Sequence, residues 1–353
     1  MNLTKKVLAF SIIFFLPIHV YAAGQKTQLT IQSHCSIAFV HLGSKLPSYI
    51  GEAILQARLF NTTEDIYLFA NKKALNKKKV RHLVAHIRND LQAKIIPIET
   101  LQKSEEHRIF ARRSTLDKKF RHGFWRFATE RFLILDDFMQ QYNITNLVHL
   151  ESDTLLYRKV EELMPTFKTH YKGIAAVFIN EEYCIPCFIY INDKESLKKL
   201  AQYIAQEADT GKNDMFLLSD FRIKNHAQQI DTLPIISRAY IAQYGLKALN
   251  GRSTNNPEKY CNNIEGFNSI FDGNAIGHYF GGVDPRNGAE AFGPGYVNEN
   301  NLFNTSLLTF RWKMDELGRK IPFMSFNGEE YRINNLHIHS KNLKNFLSVQ
   351  NIN

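Results

Sequence analysis

The stretch NLVHLESDTLLY, residues 146–157, decides the fold and marks a first candidate site. Its apolar run at 147–150 predicts a buried strand, and Glu151 and Asp153 follow at the carboxyl end of that strand. Side chains two residues apart in a strand point to the same face, so the two carboxylates would lie together. Because two like charges held that close repel each other, the pattern calls for a cation between them, and a metal ion is the first hypothesis.

Strand-like and helix-like segments alternate on both sides of this stretch. Short apolar runs at 35–43, 65–71 and 93–99 predict buried strands, and the most regular helical pattern lies at 123–143. Further segments of both kinds follow, with strands at 174–179 and 186–192 and helices at 194–208 and 213–225. Such alternation predicts the α/β class, an α/β/α sandwich with a mostly parallel central sheet. Ligands of such sheets bind outside the carboxyl ends of the strands, where Glu151 and Asp153 lie.

The composition is that of an ordinary globular protein with a basic balance. The chain has 353 residues and a net charge of +10. A basic surface suits anionic partners, although any single cluster, such as 71–82, is more simply explained as a solvated face. No motif of the common nucleic-acid-binding modules accompanies the charge, so no nucleic-acid partner is predicted.

Residues 1–22 read as a targeting segment rather than as part of the fold. Two lysines precede an apolar run at 7–17, and small residues follow at Ala22 and Ala23. This pattern predicts a secretory signal peptide cleaved after Ala22, with an uncleaved membrane anchor as the alternative. The expected location is the secretory pathway, in the periplasm or cell envelope or outside the cell, with membrane contact only through this segment. One domain is expected over 30–350.

The chain has four cysteines, Cys35, Cys184, Cys187 and Cys261. Outside the cytosol an even number of cysteines can form disulfides. The CIPC stretch at 184–187 is similar to half of a redox or zinc motif, but the sequence has no second CxxC, which favours a structural role. A Cys184–Cys187 bridge and a pairing with Cys261 both remain open.

Arg131 lies on the apolar stripe of the helix predicted at 123–143. The stripe consists of Phe124, Ala128, Leu135, Phe138 and Tyr142. An arginine on the core-facing side of a helix needs an anionic partner, because burying it unpaired is costly. Two partners are equally open from the sequence: a structural carboxylate or a bound phosphate.

Near the C-terminus, RINNLHIHSK at 332–341 predicts a strand with His337, His339 and Lys341 on one face. An acidic pair at a strand end, a late histidine and a lysine two residues on describe a site for a hard cation and a diphosphate. Mg²⁺ and Mn²⁺ prefer carboxylate oxygen, Mn²⁺ also tolerates imidazole, and phosphates supply their remaining ligands.

The sequence resembles the nucleotide-sugar-dependent glycosyltransferases of the GT-A fold, and is most similar to bacterial members. The resemblance covers nearly the whole chain after the N-terminal segment, and its last three motifs are the most specific. The matching stretches are VHLGSKLPSYIGEAILQARLFN (40–61), HLESDTLLY (149–157), FDGNAIGHYFGGVDPRN (271–287), GPGYVNE (293–299) and NLHIHSK (335–341).

The resemblance implies a GT-A-like (Rossmann-like) fold and the transfer of a sugar from a nucleotide donor, most often UDP-linked, to an acceptor hydroxyl. The acceptor would be a glycan or another hydroxyl compound, in glycan or envelope polysaccharide synthesis, with Mn²⁺ or Mg²⁺ as cofactor. It makes Asp153 the metal ligand of a DxD-type motif and His339 the C-terminal metal ligand. Glu151 stands where the wider fold usually has Asp, so it would bind either the metal or the ribose.

The resemblance also assigns the substrate contacts. Lys341 would contact the diphosphate, and the nucleotide would be framed by Leu42, Gly43 and Asn71, with Arg131 near its phosphates. Asp272 would bind the transferred sugar or activate the acceptor hydroxyl, and the alternative for it is a helix cap. Glu299 is the reserve candidate for a base.

Two other functions use similar features. A metal-dependent sugar-nucleotide phosphohydrolase or nucleotidyltransferase would use the same acidic pair. Nucleotidyltransferases carry a Gly-rich loop after the first strand, whereas HLGSKLPS at 41–48 has a single glycine. A non-catalytic carbohydrate-binding protein on a degenerate transferase fold is the other alternative, and the presence of Asp153, His339 and Lys341 argues against it.

Overall fold

The computed structural model describes residues 18–22, 25–29, 35–224, 229–287 and 292–349. The chain divides into two compact units, residues 1–33 and 34–353. In the first unit, the strand Ile18–Ala22 pairs antiparallel with Gln25–Leu29. The remainder of the predicted signal or anchor at 1–22 lies outside the described residues. Among the described helices, none combines the length and the apolar character that a membrane crossing needs.

The strands of the second unit lie along the chain as follows: β1 Ser36–His41, β2 Ile66–Ala70, β3 Lys94–Pro97, β4 Leu147–Leu150, β5 Thr154–Leu156, β6 Ile174–Phe178, β7 Cys184–Ile191, β8 Ile230–Thr232, β9 Ser269–Ile270, β10 Thr309–Met314, β11 Lys320–Phe326, β12 Glu329–Ile333 and β13 Asn335–His337. Its helices are α1 Ile50–Phe60, α2 Lys72–Leu75, α3 Arg81–Ala85, α4 Glu105–Arg113, α5 Phe124–Tyr142, α6 Val160–His170, α7 Lys194–Gln206, α8 Asp214–Lys224, α9 Arg238–Tyr244, α10 Ile264–Phe267 and α11 Ala275–Gly281. Short 3₁₀ turns lie at Lys78–Val80, Ile98–Thr100, Phe120–His122, Pro257–Tyr260, Pro285–Asn287, Thr305–Leu307 and Leu343–Phe346, and a π turn at His86–Asp90.

The central sheet of the described chain has seven strands in the order β8-β6-β7-β4-β1-β2-β3. β1 runs parallel to both β2 and β4, β2 to β3, and β6 to β8, while β7 runs antiparallel to its neighbours β4 and β6. The central strands are buried along their whole length because helices such as α5, α7 and α8 pack on them. The predicted α/β class with a mostly parallel central sheet is confirmed.

A second sheet and a two-stranded ribbon complete the unit. The second sheet has the order β9-β12-β11-β10, and its strand β10 is largely exposed. In the ribbon, β13 pairs antiparallel with β5, with His337 opposite Thr154 and Leu336 opposite Leu155. This pairing carries the C-terminal segment to the end of β4, beside Asp153.

Helix α5 confirms the most regular pattern of the sequence. It begins after Gly123, whose φ is +91°, and ends at Asn143, which is left-handed with φ +53°. Phe138 packs on Tyr67 and Phe69 of β2 at ring-centroid distances of 4.9 and 4.8 Å, which seats the helix on the sheet. The prediction that Phe124 belongs to the buried stripe is wrong, because its side chain is exposed.

The single strand predicted over 332–341 is also wrong. β12 ends at Ile333 and β13 ends at His337, after which the backbone turns. The N–H of His339 donates to the carbonyl of His337, and Lys341, with φ +67°, donates to Ile338. The three basic side chains therefore do not share one strand face.

The cysteines form no disulfide in the structure. Cys35, Cys184, Cys187 and Cys261 are free buried thiols, so neither predicted pairing is present. Burial raises the pKa of Cys184 and Cys187 well above the usual range. The Cys187 thiol lies 3.1 Å from the carbonyl of Asp272, which gives it the predicted structural role in packing.

A buried charge cluster between α4 and α5 generates the first testable prediction. The His107 ring lies 2.5 Å from the Asp137 carboxylate through Nδ1 and 3.0 Å from Glu130 through Nε2. Burial lowers the pKa of His107, but the two carboxylates more than offset this and raise it above its usual value. The charged imidazole thus stabilises the fold below about pH 6.5, and this contribution is lost as the pH rises through the raised pKa.

We therefore expect His107→Gln to cost more stability at pH 6 than at pH 9. Urea unfolding of the parent and the variant at both pH values measures the difference. His86→Gln, at an exposed His86–Asp90 pair, is the matched control and should cost little at either pH. An equal stability gap for His107→Gln at both pH values would show that the imidazole is held uncharged.

Candidate active site

A cleft of about 1280 Å³ opens at the carboxyl ends of β1 and β4. This is the edge of a parallel sheet at which ligands are expected. Residues that the sequence analysis singled out and that line this cleft are Leu42, Gly43, Arg131, Glu151, Asp153, His337, His339 and Lys341. The site is thus assembled from the first strand, the long helix, the central stretch and the C-terminal segment.

An acidic pair and a histidine converge at the centre of the cleft. Ligand atoms of Glu151, Asp153 and His337 all lie within 4.8 Å of one another. His337 Nε2 is 3.3 Å from Asp153 and 3.4 Å from Glu151, while Nδ1 donates to the carbonyl of Gly273 at 2.8 Å. That bond fixes the ring so that Nε2 faces the acids, as in histidines that bind metal ions. The two acids lie close together as predicted, although β4 ends at Leu150 and they occupy the turn into β5.

Cations of the protein neutralise this acidic pair. The Lys341 ammonium donates to the Asp153 carboxylate. Burial raises the pKa of Asp153, but Lys341 and His337 outweigh it and hold the pKa well below its usual range. Burial likewise lowers the pKa of His337, and Asp153 with Glu151 raises it to about 9. The site therefore balances its charge through Lys341 and a protonated His337.

Arg131 is buried between two carboxylates. Its Nη1 donates to Glu151 at 2.5 Å, and its Nη2 donates to Asp214 in the first turn of α8. The backbone of α8 is anchored there by Asn213, whose side chain accepts from the N–H of Met215 at 3.1 Å. Of the two partners open from the sequence, the structure shows the carboxylate, and Arg131 fixes Glu151 against the wall of the cleft.

His339 lies in the same cleft but outside the acidic cluster. Its ring centroid is 5.9 Å from that of His337, and its Nδ1 accepts the N–H of Asp284 at 2.9 Å. Burial and the positive charges of Lys341 and His337 lower the pKa of His339 to about 4. The structure therefore brings His337 to the acids where the sequence analysis expected His339, because the chain turns directly after His337.

Asp272 holds the backbone around the site. Only 1% of its surface is exposed, and its carboxylate accepts the N–H groups of Ile276, Gly277 and His337 at 2.9–3.0 Å. Burial raises its pKa to about 6 even though these bonds oppose the shift. This is the cap geometry that the sequence left as the alternative, and Asp272 reaches the cleft only through His337. Glu299 is exposed, and neither acid is among the described residues that line the cleft.

The nucleotide-framing residues of the sequence analysis form one small unit. The N–H of Gly43 donates to Asn71 Oδ1 at 2.8 Å, and Asn71 Nδ2 donates to Glu99 at 3.1 Å. Gly43 has φ +121°, a conformation that favours glycine. Leu42 and Gly43 line the cleft. Asn71 is not among the described lining residues and supports the loop after β1 through its bond to Gly43.

Sequence reasoning missed two polar residues of the cleft, Asn274 at the N-cap of α11 and His278 within that helix. Asn274 Oδ1 and His278 Nε2 are buried without a hydrogen-bond partner in the structure, and both residues line the cleft. Buried polar atoms of this kind usually find a partner in water or a ligand. The motif FDGNAIGHYFGG contained both, but only the pairing of β13 with β5 reveals that this helix borders the acidic cluster.

Comparisons with known proteins found distant similarity to solved structures. No protein-family model matches the sequence, and no curated protein matches it. The chain is similar to mouse xyloside xylosyltransferase 1, with TM-score 0.42 and 9% identity over 60% of this chain and 90% of that one. It is also similar to the galactosyltransferase LgtC bound to donor and acceptor sugar analogues, with TM-score 0.39 and 12% identity over 59% and 78%. The chain is also similar to a cytidylyltransferase from Leptospira borgpetersenii, with TM-score 0.36 and 11% identity over 57% of this chain and 76% of that one.

Glycosyltransferases, the class that the sequence resemblance names, are thus among the similar solved structures. Because these likenesses are distant, the function has to be argued from the site itself.

The contacts of Arg131 predict the outcome of removing it. Arg131→Met leaves the buried Asp214 without its counter-ion and leaves Glu151 paired with His337 alone among the described residues. Losing one partner of a buried pair typically costs about 3–5 kcal/mol. We expect a loss of this size in urea unfolding. Arg113→Met, at the exposed Arg113–Asp209 pair, is the matched control and should cost less than about 1 kcal/mol. Unchanged stability with weakened nucleotide binding in Arg131→Met would favour the phosphate role instead.

Proposed function

We propose that this protein is a metal-dependent glycosyltransferase that moves a sugar from a UDP-linked nucleotide donor to an acceptor hydroxyl. The observation that carries the proposal is the convergence of Glu151, Asp153 and His337 within 4.8 Å at the strand ends of a large cleft, with Lys341 beside them. A site for a divalent cation next to the Lys341 ammonium suits a leaving nucleoside diphosphate. The resemblance of the sequence to GT-A enzymes supports the same class.

The residues present fit a divalent metal ion. The two carboxylates supply hard oxygen ligands, and the oriented imidazole supplies a nitrogen. This set suits Mn²⁺, whereas Mg²⁺ would be held mainly by the carboxylate oxygens. Glu151, Asp153 and His337 would hold the ion, and His339 is the alternative histidine from the sequence. When bound, the ion would supply Lewis-acid neutralisation of the charge that develops on the leaving diphosphate.

The protein's own residues prepare this site in a defined way. Arg131 holds Glu151 in place through a hydrogen bond. Asp272 fixes the backbone of His337, and the carbonyl of Gly273 fixes its ring. Lys341 is bonded to Asp153. In the proposed reaction, Lys341 transfers its hydrogen bond from Asp153 to the donor diphosphate. The loop at Leu42–Gly43 would receive the nucleotide. Among the described residues, Asn274 Oδ1 and His278 Nε2 have no hydrogen-bond partner, and both line the cleft, where they would be available to the sugars.

The biological setting of the proposal rests on the sequence pattern at 1–22. On that pattern we propose export into the secretory pathway, with glycan or envelope polysaccharide synthesis as the process served.

A donor-hydrolysis screen tests the reaction class. We expect one or more nucleotide sugars to yield nucleoside diphosphate and free sugar with Mn²⁺, and no turnover in EDTA. Release of nucleoside monophosphate with sugar 1-phosphate would point instead to a phosphohydrolase, because such an enzyme cleaves the diphosphate at phosphorus. Formation of nucleoside triphosphate and sugar 1-phosphate when pyrophosphate is added would point to a nucleotidyltransferase. Asp153→Asn should abolish hydrolysis, whereas Asp209→Asn, at an exposed pair, should not change it. Full activity of Asp153→Asn would refute the metal site.

A second test separates the two histidines. Because His337 faces both acids, we expect His337→Ala to raise the Mn²⁺ concentration for half-maximal hydrolysis by at least about tenfold. His339→Ala should shift it less, since its Nδ1 is already bonded to the Asp284 backbone. Binding of Mn²⁺ followed by its electron paramagnetic resonance signal provides a readout besides activity. The reverse ranking would establish His339, the residue assigned from the sequence resemblance, as the ligand.

A further inference from the structure

The mouth of the cleft carries a largely exposed segment, residues 118–125, which we call the rim loop. It ends the connection between α4 and α5 and includes the first two residues of α5. Its sequence, KKFRHGFW, alternates cations with aromatic rings. Phe120 and Phe124 are each 43% exposed, a large fraction for side chains without any polar atom. Lys118, Lys119 and His122 are exposed as well, and the aromatic residues of the loop line the cleft.

The aromatic rings of the rim loop form one ordered platform. Phe120 stacks on Trp125 with ring centroids 6.2 Å apart and an interplanar angle of 3°, and Phe124 meets the same indole edge-on at 4.8 Å. The Arg121 guanidinium lies over the Phe120 ring at 5.3 Å. The platform therefore presents apolar faces and positive charge side by side.

The backbone of the rim loop holds this display in place. Arg121 and His122 have φ of +44° and +60°. This backbone conformation is unfavourable for residues other than glycine and persists only where surrounding contacts fix it. Asp117, the residue before the rim loop, turns its carboxylate to the backbone and accepts the N–H groups of Lys119 and Phe120 at 2.7 and 3.2 Å. The Asp117 carboxylate is therefore bonded to the backbone, and the exposed Lys118 and Lys119 make the outer face of the loop cationic.

Other residues of the cleft lining have the same character. Phe292 is 51% exposed and stacks on Tyr296 at 4.4 Å, and both residues line the cleft. Lys45 is exposed on the cleft wall after β1. Arg286 lies there too, paired with Asp284. Exposed apolar rings and cations thus occur both in the rim loop and in other segments of the cleft lining.

We propose that this rim docks on an anionic lipid surface, so that the mouth of the cleft faces the membrane. Aromatic rings at the level of the headgroups combined with lysine and arginine are the pattern of interfacial membrane contacts. The proposal goes beyond the transferase function and adds a membrane contact to the one predicted for residues 1–22.

The chain offers a local probe because it has two tryptophans. Trp125 belongs to the rim loop, and Trp312 lies on the exposed strand β10 outside the cleft lining. Trp312→Phe leaves Trp125 as the sole tryptophan, and Trp125→Phe leaves Trp312 as the matched control. The full chain is mixed with vesicles of phosphatidylcholine alone or with one quarter phosphatidylglycerol, prepared with brominated acyl chains that quench nearby indoles.

We expect anionic vesicles to quench and blue-shift the fluorescence of Trp125 and to leave Trp312 unchanged. The readout is specific to the rim, so it stays interpretable if residues 1–22 also bind lipid. In the Trp312→Phe background, Phe120→Ser with Phe124→Ser should abolish the quenching. Lys118→Glu with Lys119→Glu should weaken binding by about fivefold or more for each lysine. Met314→Ser with Leu317→Ser, at other exposed apolar positions, should have no effect.

Three results would overturn the proposal. Trp125 fluorescence that does not respond to anionic vesicles excludes insertion of the rim. Equal quenching of Trp125 and Trp312 shows non-specific adsorption of the chain. A response of Trp125 to a soluble acidic polysaccharide, with none to vesicles, identifies the partner of the rim as a glycan.

Discussion

The structure depends on one electrostatic constraint, the burial of two carboxylates at the end of the central strand β4. Glu151 and Asp153 cannot be desolvated without positive partners, because an unpaired buried charge is far more costly than any packing contact. The chain meets this demand from two distant places, with Arg131 from α5 and with His337 and Lys341 from the C-terminal segment. The same interactions that neutralise the acids therefore join the long helix, the central sheet and the end of the chain.

The β5–β13 ribbon is the element that makes this long-range joining possible. It places His337 opposite Thr154, one residue from Asp153, and the carbonyl of Asp153 accepts the N–H of Ile338. Asp272 then ties the first turn of α11 to the backbone of His337. A buried carboxylate in three backbone hydrogen bonds is a rigid support, which suits a residue that positions the imidazole better than one that reacts.

The sequence was informative where one local interaction dominates. The strands β1, β2 and β4 are buried on both faces, so continuous apolar runs identify them, and the site followed from acids placed at a strand end. The choice between His337 and His339 was not accessible, because it depends on a backbone turn after residue 337 and on pairing with β5, far away in sequence. The exposure of Phe124 was hidden for a similar reason, since helical periodicity does not show that the first turn of α5 projects into the mouth of the cleft.

The charge balance of the site also bears on how ligands would enter it. In the described structure Asp153 is satisfied by Lys341 and His337, so a divalent cation at the acids must compete with an ammonium group and with the proton on His337. A donor diphosphate offers Lys341 another anion, and its own oxygens complete the coordination of a cation. Each ligand thus removes an obstacle to the other, and by linkage the coupling must be reciprocal. A site arranged in this way favours binding of metal and donor together over binding of either one alone.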